Sequence, residues 1–190
     1  MAAASVGDCL SGAWSLFKKN AFTHVVCTLL VMVVSSVSAG LLAGPMLVGY
    51  LRLIEREDRG EPVQIGDVFR GFDDFVPALV AGLISSLVVS LGFMLCVIPG
   101  LLILALPAVA LQLVARGERD GVAAFTEAWR TVTGHLGSAC VCAVVLGIVG
   151  SLGFVLCWVG ALVTLPVAMI GQYYMARQLL GDAPAPIAPF

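Results

Sequence analysis

Apolar and polar positions alternate along this chain in blocks rather than residue by residue. Three stretches, Asn20–Leu51, Phe75–Ala115 and Thr131–Ala176, hold no charged side chain over 32, 41 and 46 residues. A helix crosses a bilayer in about 20 apolar residues, so the two longer stretches each predict a pair of crossings. Their expected reversals are Cys96–Gly100, where Pro99 and Gly100 break helix, and the weaker Cys157–Gly160. The first stretch fits one long tilted helix or two short ones turning around Ser35–Gly40. Near-continuous apolar runs such as Val25–Val34 predict helix, because strands of a membrane barrel alternate.

The charges decide the first stretch. Lys18, Lys19, Arg52, Arg56, Arg59, Arg70, Arg116, Arg119, Arg130 and Arg177 all lie between or beside the apolar stretches. Loops rich in Lys and Arg stay cytoplasmic. Two crossings per stretch place all of these cations on one side, whereas five crossings would put some outside. The expected fold is therefore all-α: a polytopic transmembrane helical bundle with six crossings as three hairpins, both termini cytoplasmic. A cleaved signal peptide over Lys18–Ala39 is the rival reading, and the late position of the basic pair counts against it.

Before each stretch comes a segment with apolar residues at helical spacing: Val6, Leu10, Trp14 and Phe17; then Ile65, Val68, Phe69 and Phe72; then Val122, Phe125, Trp129 and Val132. Aromatic residues on such a face suit the headgroup boundary, which predicts amphipathic interfacial helices on the cytoplasmic side; a cytoplasmic cap packed on the bundle is the alternative. Ser90–Cys96 recurs as Ser151–Cys157 with six identities in seven. The chain thus reads as a single transmembrane bundle over 1–182 with repeat units near 5–55, 62–116 and 120–180, followed by a Pro/Ala-rich tail at 183–190.

Composition agrees, with 60% hydrophobic and 12% charged residues against roughly 45–50% and 25% in soluble domains. A net charge of −2 argues against nucleic acid. The six cysteines form no CxxC pair and predict neither a disulfide framework nor a zinc site. Cys96 and Cys157 match in the repeated motif, and the expectation is two small packing residues rather than a bridge.

Candidate chemistry is sparse. Pro45, Pro107 and Pro166 fall in the return halves and are candidate kink or cavity positions, with Gln112 and Gln172 following two of them. His24 and His135 each open a crossing; with Asp73 and Asp74 they are a metal set only if folding brings them together, and the simpler expectation is interfacial polar residues and no metal or cofactor. No phosphate-binding or hydrolase fingerprint is present, so no catalytic residue is expected. The loop Glu55, Arg56, Glu57, Asp58, Arg59, Gly60, Glu61 is the most polar segment and the candidate partner-docking loop.

Gly44-Pro45 with Gly49, Arg59-Gly60-Glu61, Gly66–Phe72 and Cys96–Gly100 resemble a largely uncharacterised family of bacterial six-helix membrane proteins. That family is similar to the membrane domain attached to some glycerophosphodiester phosphodiesterases. The resemblance implies an inner-membrane bundle and carries over no catalytic residue, because the phosphodiesterase domain is absent. The functional expectation is a non-enzymatic anchor, scaffold or assembly partner, acting through its cytoplasmic face on a cytoplasmic or membrane protein, with a homo-oligomer as a further assembly. The alternative is a permease or channel for a small neutral or lipidic solute.

Overall fold

The computed structural model describes residues 5–95, 97–155 and 157–181. Cys96 lies outside them, as do the side chain of Cys157 and the tail 183–190, and with them the bridge and tail expectations. The described chain is all-α, without strands among the described residues. Helices α1 (Val6–Lys19), α2 (Ala21–Val37) and α3 (Ala43–Asp58) are followed by a 3-10 helix at Ile65–Asp74. Then come α4 (Phe75–Leu95), α5 (Val97–Leu102), α6 (Leu106–Ala115), α7 (Gly121–Gly134), α8 (Leu136–Val155) and α9 (Cys157–Leu179).

Local chemistry sets these boundaries. Between α2 and α3 the chain turns over five residues, with Ala39 at φ 50° and Gly40 at φ 84°. The Ser38 hydroxyl accepts the Leu42 amide at 3.1 Å and donates to the Val34 carbonyl at 2.8 Å. Asp120 caps α7 by accepting the Val122 amide at 2.9 Å. Gln64 and Asp67 form a reciprocal cap on the 3-10 helix. The second return path breaks at residues 103–105, immediately ahead of Pro107, giving two short helices instead of one. α9 is already helical through Cys157–Gly160, where the sequence predicts the third reversal.

The span Ile65–Leu95, 31 residues, is the one helix among the described residues long and apolar enough to cross a membrane. Two further pairs pass only together: α1 with α2, bent by 104°, and α7 with α8, bent by 102°.

Packing follows a cyclic order. The 3-10 helix lies on α3, α7 lies on α6, and α1 lies on α9. Each leading segment thus rests on the return helix of the hairpin before it, with the first resting on the last. The return helices α3, α6 and α9 also touch one another, and they supply Met46, Tyr50, Leu106, Ile170 and Tyr173 to the core. The contact of the 3-10 helix with α3 is backbone on backbone, because Gly49 and Gly71 leave no side chain between them.

α7 shows how an amphipathic segment divides its surface. Its buried face is small (Gly121, Ala124, Ala128 and Val132), and a Cβ on Gly121 would stand 2.6 Å from the Pro77 carbonyl oxygen. The larger apolar residues Val122 and Trp129 are turned outward, as are Trp14 on α1 and Phe69 on the 3-10 helix.

Candidate functional site

The last two turns of α3 form a charged hub that reaches all three hairpins. Arg52 pairs with Asp74 and donates to the carbonyls of Ala115 at 3.0 Å and Arg70 at 3.3 Å. It thereby closes the carbonyl end of α6, where a cation is favoured by the helix dipole. Arg56 pairs with Glu61 at 3.0 Å and Asp67 at 3.1 Å. Asp58 pairs with Arg177 and accepts the Tyr174 hydroxyl at 2.6 Å, tying α3 to α9. Arg59 pairs with Glu55 one turn back.

This revises the docking-loop expectation. Glu57 is 4% exposed and the Asp58 side chain 10%, because both turn inward to partners on other helices. Only Arg59, Gly60 and Glu61 project into solvent from this segment.

Glu57 belongs to a buried polar cluster at the elbow between α1 and α2. Its carboxylate meets His24 Nε2 at 2.9 Å and accepts from Asn20 Nδ2 at 2.7 Å. His24 Nδ1 lies 3.1 Å from the Tyr50 hydroxyl. His24 is fully buried and Tyr50 is 1% exposed. The ring of Phe17 stacks on His24 from α1 at 6.3 Å. Glu57 stands in the charged segment beyond the first apolar stretch. Burial pushes its carboxyl up, but the hydrogen bonds from His24 and Asn20, with Lys19 nearby, outweigh burial and hold it below the usual carboxylate range.

This cluster was not among the sequence candidates, since Glu57 reads there as one charge in a solvated loop. A signal was present. Asn20, His24 and Thr28 recur every four residues from the start of a largely apolar helix, and Tyr50 and Glu57 stand seven apart on the next.

The remaining candidates are dispersed. Pro45 and Pro107 stand in the first turns of α3 and α6, where a missing N–H leaves no bond unmade; only Pro166 has helix on both sides. Gln112 is fully buried on α6, and neither of its amide atoms has a partner; Gln172 on α9 is half-buried. An apolar cleft of about 530 Å³ opens between the first turn, α4 and α6, lined by Gly40, Gly44, Gly82, Leu83, Pro107 and Leu111. His24 and His135 do not come together: His135 Nδ1 lies 3.2 Å from the Thr131 carbonyl, and Asp74 is held by Arg52. Among the described residues no three metal-ligating side chains converge. A larger groove of about 1040 Å³ runs between α7 and the end of α9, past Glu127, Arg130, His135 and Gln178.

No known protein family matches the chain, and no solved structure matches it. It is similar to uncharacterised mycobacterial proteins. Rv2560 of Mycobacterium tuberculosis is 26% identical, with 93% of this chain and 69% of that protein aligned. Mb2590 of Mycobacterium bovis is 25% identical over the same shares.

Proposed function

We propose that the chain is a multi-pass protein of a bacterial inner membrane, with three hairpins making six crossings and both termini cytoplasmic, and that it serves as an anchor or scaffold for a protein partner. The observation that carries this reading is the separation of its two surfaces. Val33, Val37, Leu83, Leu87, Val141 and Ile148 are exposed along α2, α4 and α8, whereas every Lys, Arg, Asp and Glu lies outside the three apolar stretches, between or beside them. Apolar side chains exposed in such numbers suit lipid rather than water. The 104° and 102° bends then lay α1 and α7 in the membrane plane, with Trp14 and Trp129 at headgroup level.

Because the Glu55–Glu61 loop spends most of its charge internally, the partner surface moves to the groove between α7 and α9, with Glu127 and Arg130 exposed on its rim. Detergent-free extraction of tagged protein, followed by cross-linking and mass spectrometry, tests this. A defined partner cross-linked to α7 supports the scaffold reading; a partner-free monomer that conducts solute in liposomes refutes it.

One observation favours the permease reading. Buried Gln112, without a partner for either amide atom, is a polar group of the kind a passing neutral solute would satisfy. Liposome uptake lost in Gln112→Leu and retained in Gln172→Leu would establish that reading instead.

A further inference from the structure

We infer that the apolar cleft between the first turn, α4 and α6 is a binding site for one lipid acyl chain, held tightly enough to stay with the protein when the surrounding bilayer is removed. The inference rests on the membrane part of the reading above and not on the scaffold part.

Three separate parts of the fold wall the cleft. Gly40 and Leu41 come from the turn between α2 and α3, Gly82, Leu83 and Ser86 from α4, and Leu111 from α6. Where the helices meet they are already in contact: a Cβ on Gly82 would stand 3.5 Å from the Gly44 Cα and 3.6 Å from a Leu111 methyl carbon. At Gly40 the opposite holds, with nothing within 4 Å of an added carbon. The turn needs φ 84° there, which keeps that wall free of a side chain.

The lining decides what fills the space. None of the lining residues is charged, and Ser86 supplies the one side-chain hydroxyl among them. A bound water needs two to four polar partners, so water is a poor occupant. An apolar cavity of roughly 150 Å³ takes up a six-carbon ring. By that measure a cleft of about 530 Å³ has room for on the order of 20 carbons, the scale of one acyl chain.

The mouth points the same way. Leu41 is 53% exposed and Leu83 52%. Leu83 is followed at helical spacing by Leu87, Leu91 and Met94, all exposed along one face of α4. That face leads from the cleft along the surface that the membrane reading gives to lipid, and a chain lying on it reaches the cleft without passing a charge. A soluble partner has no polar group to grip here, because every lining residue belongs to one of the charge-free stretches.

The test is native mass spectrometry of the full chain, transferred from phosphatidylcholine nanodiscs into detergent and washed extensively. The expected result is one phospholipid retained per folded chain. In Ser86→Phe, a ring that displaces two methylenes from the cleft should cut the retained fraction about tenfold. Ser151→Phe, the same change at an exposed position on α8, should leave it unaltered. A photoactivatable acyl chain in the nanodisc should label residues 39–47 and 79–86 of the wild type and lose that labelling in Ser86→Phe. Equal retention in the wild type and Ser86→Phe would overturn the inference, and so would a folded wild type washed free of lipid. A chain pair that Ser86→Phe abolishes would overturn it too, by making a second copy the occupant. Alkaline extraction of native membranes separates the two readings: a chain that resists extraction but keeps no lipid fails this inference alone, whereas a chain released by alkali fails the membrane reading and this inference with it.

Discussion

Gly49 and Gly71 meet backbone to backbone: a Cβ on Gly71 would stand 2.5 Å from the Gly49 nitrogen and 1.9 Å from the Pro45 carbonyl oxygen. No flexible side chain stands there to give way, so α3 and the 3-10 helix would have to separate. Gly71→Ala is expected to destabilise the protein by about 3 kcal/mol or more, at or above the usual overpacking cost. Gly66→Ala, in the same 3-10 helix with nothing within 4 Å of its added carbon, should change stability by less than about 0.5 kcal/mol. Thermal unfolding in detergent compares the two.

That contact also marks where the sequence is legible. Gly44-Pro45, Gly49 and Gly66–Phe72 stand out in the chain as a motif, and the structure gives part of that motif a mechanical meaning: one helix seated on another's backbone. Helix class is likewise visible, and the turn expected around Ser35–Gly40 falls at residues 38–42, because apolar run length and glycine placement are local signals. What faces what is not local. A strip of small residues at Ala139, Ala143, Gly147 and Ser151 reads as a packing face, yet Gly147 and Ser151 are exposed. Steps of four residues advance about 400°, so such a strip drifts around the helix. The buried face instead follows Ala139, Cys142, Ala143, Leu146 and Gly150. The Glu57 cluster was hidden for a similar reason, since its partners lie 33 and 37 positions away along the chain.

Arg52 joins the first hairpin to the second. Arg52→Met keeps much of the side-chain length but strips Asp74 of its cation and the Ala115 carbonyl of its donor. The expected loss is about 1.5–3 kcal/mol, as for hydrogen bonds to charged groups. A double-mutant cycle with Asp74→Asn should return a coupling above about 0.5 kcal/mol. Additive effects would mean that the pair does not hold the hairpins together.

Glu57 makes folding acid-sensitive with a definite sign. Its carboxyl is held below the unfolded value, so its stabilisation is complete above the ordinary carboxylate range. That contribution disappears as pH falls through the unfolded value and then through the lower folded one. The wild-type unfolding temperature should drop on acidification through and below about pH 4. In Glu57→Gln the drop should be smaller and the protein less stable at neutral pH. Identical acid profiles for the two proteins would contradict this assignment.

Asp58 ties down the end of α9 through Tyr174 and Arg177. Asp58→Asn can still accept the Tyr174 hydroxyl but loses the ion pair. Trypsin should then cleave after Arg177 several-fold faster than in the wild type, while cleavage after exposed Arg119 is unchanged. Equal rates at Arg177 would show that the helix end is held by other contacts.

The central claim, three hairpins with every charged segment on the cytoplasmic side, stands or falls on the first turn. A short epitope inserted after Gly40, in the turn between α2 and α3, can be probed in spheroplasts with the rest of the chain complete. The account predicts that antibody reaches this epitope from outside without permeabilisation, while epitopes after Gly60 and Gly117 stay hidden until the membrane is opened. An epitope after Gly40 reached only after permeabilisation would contradict it.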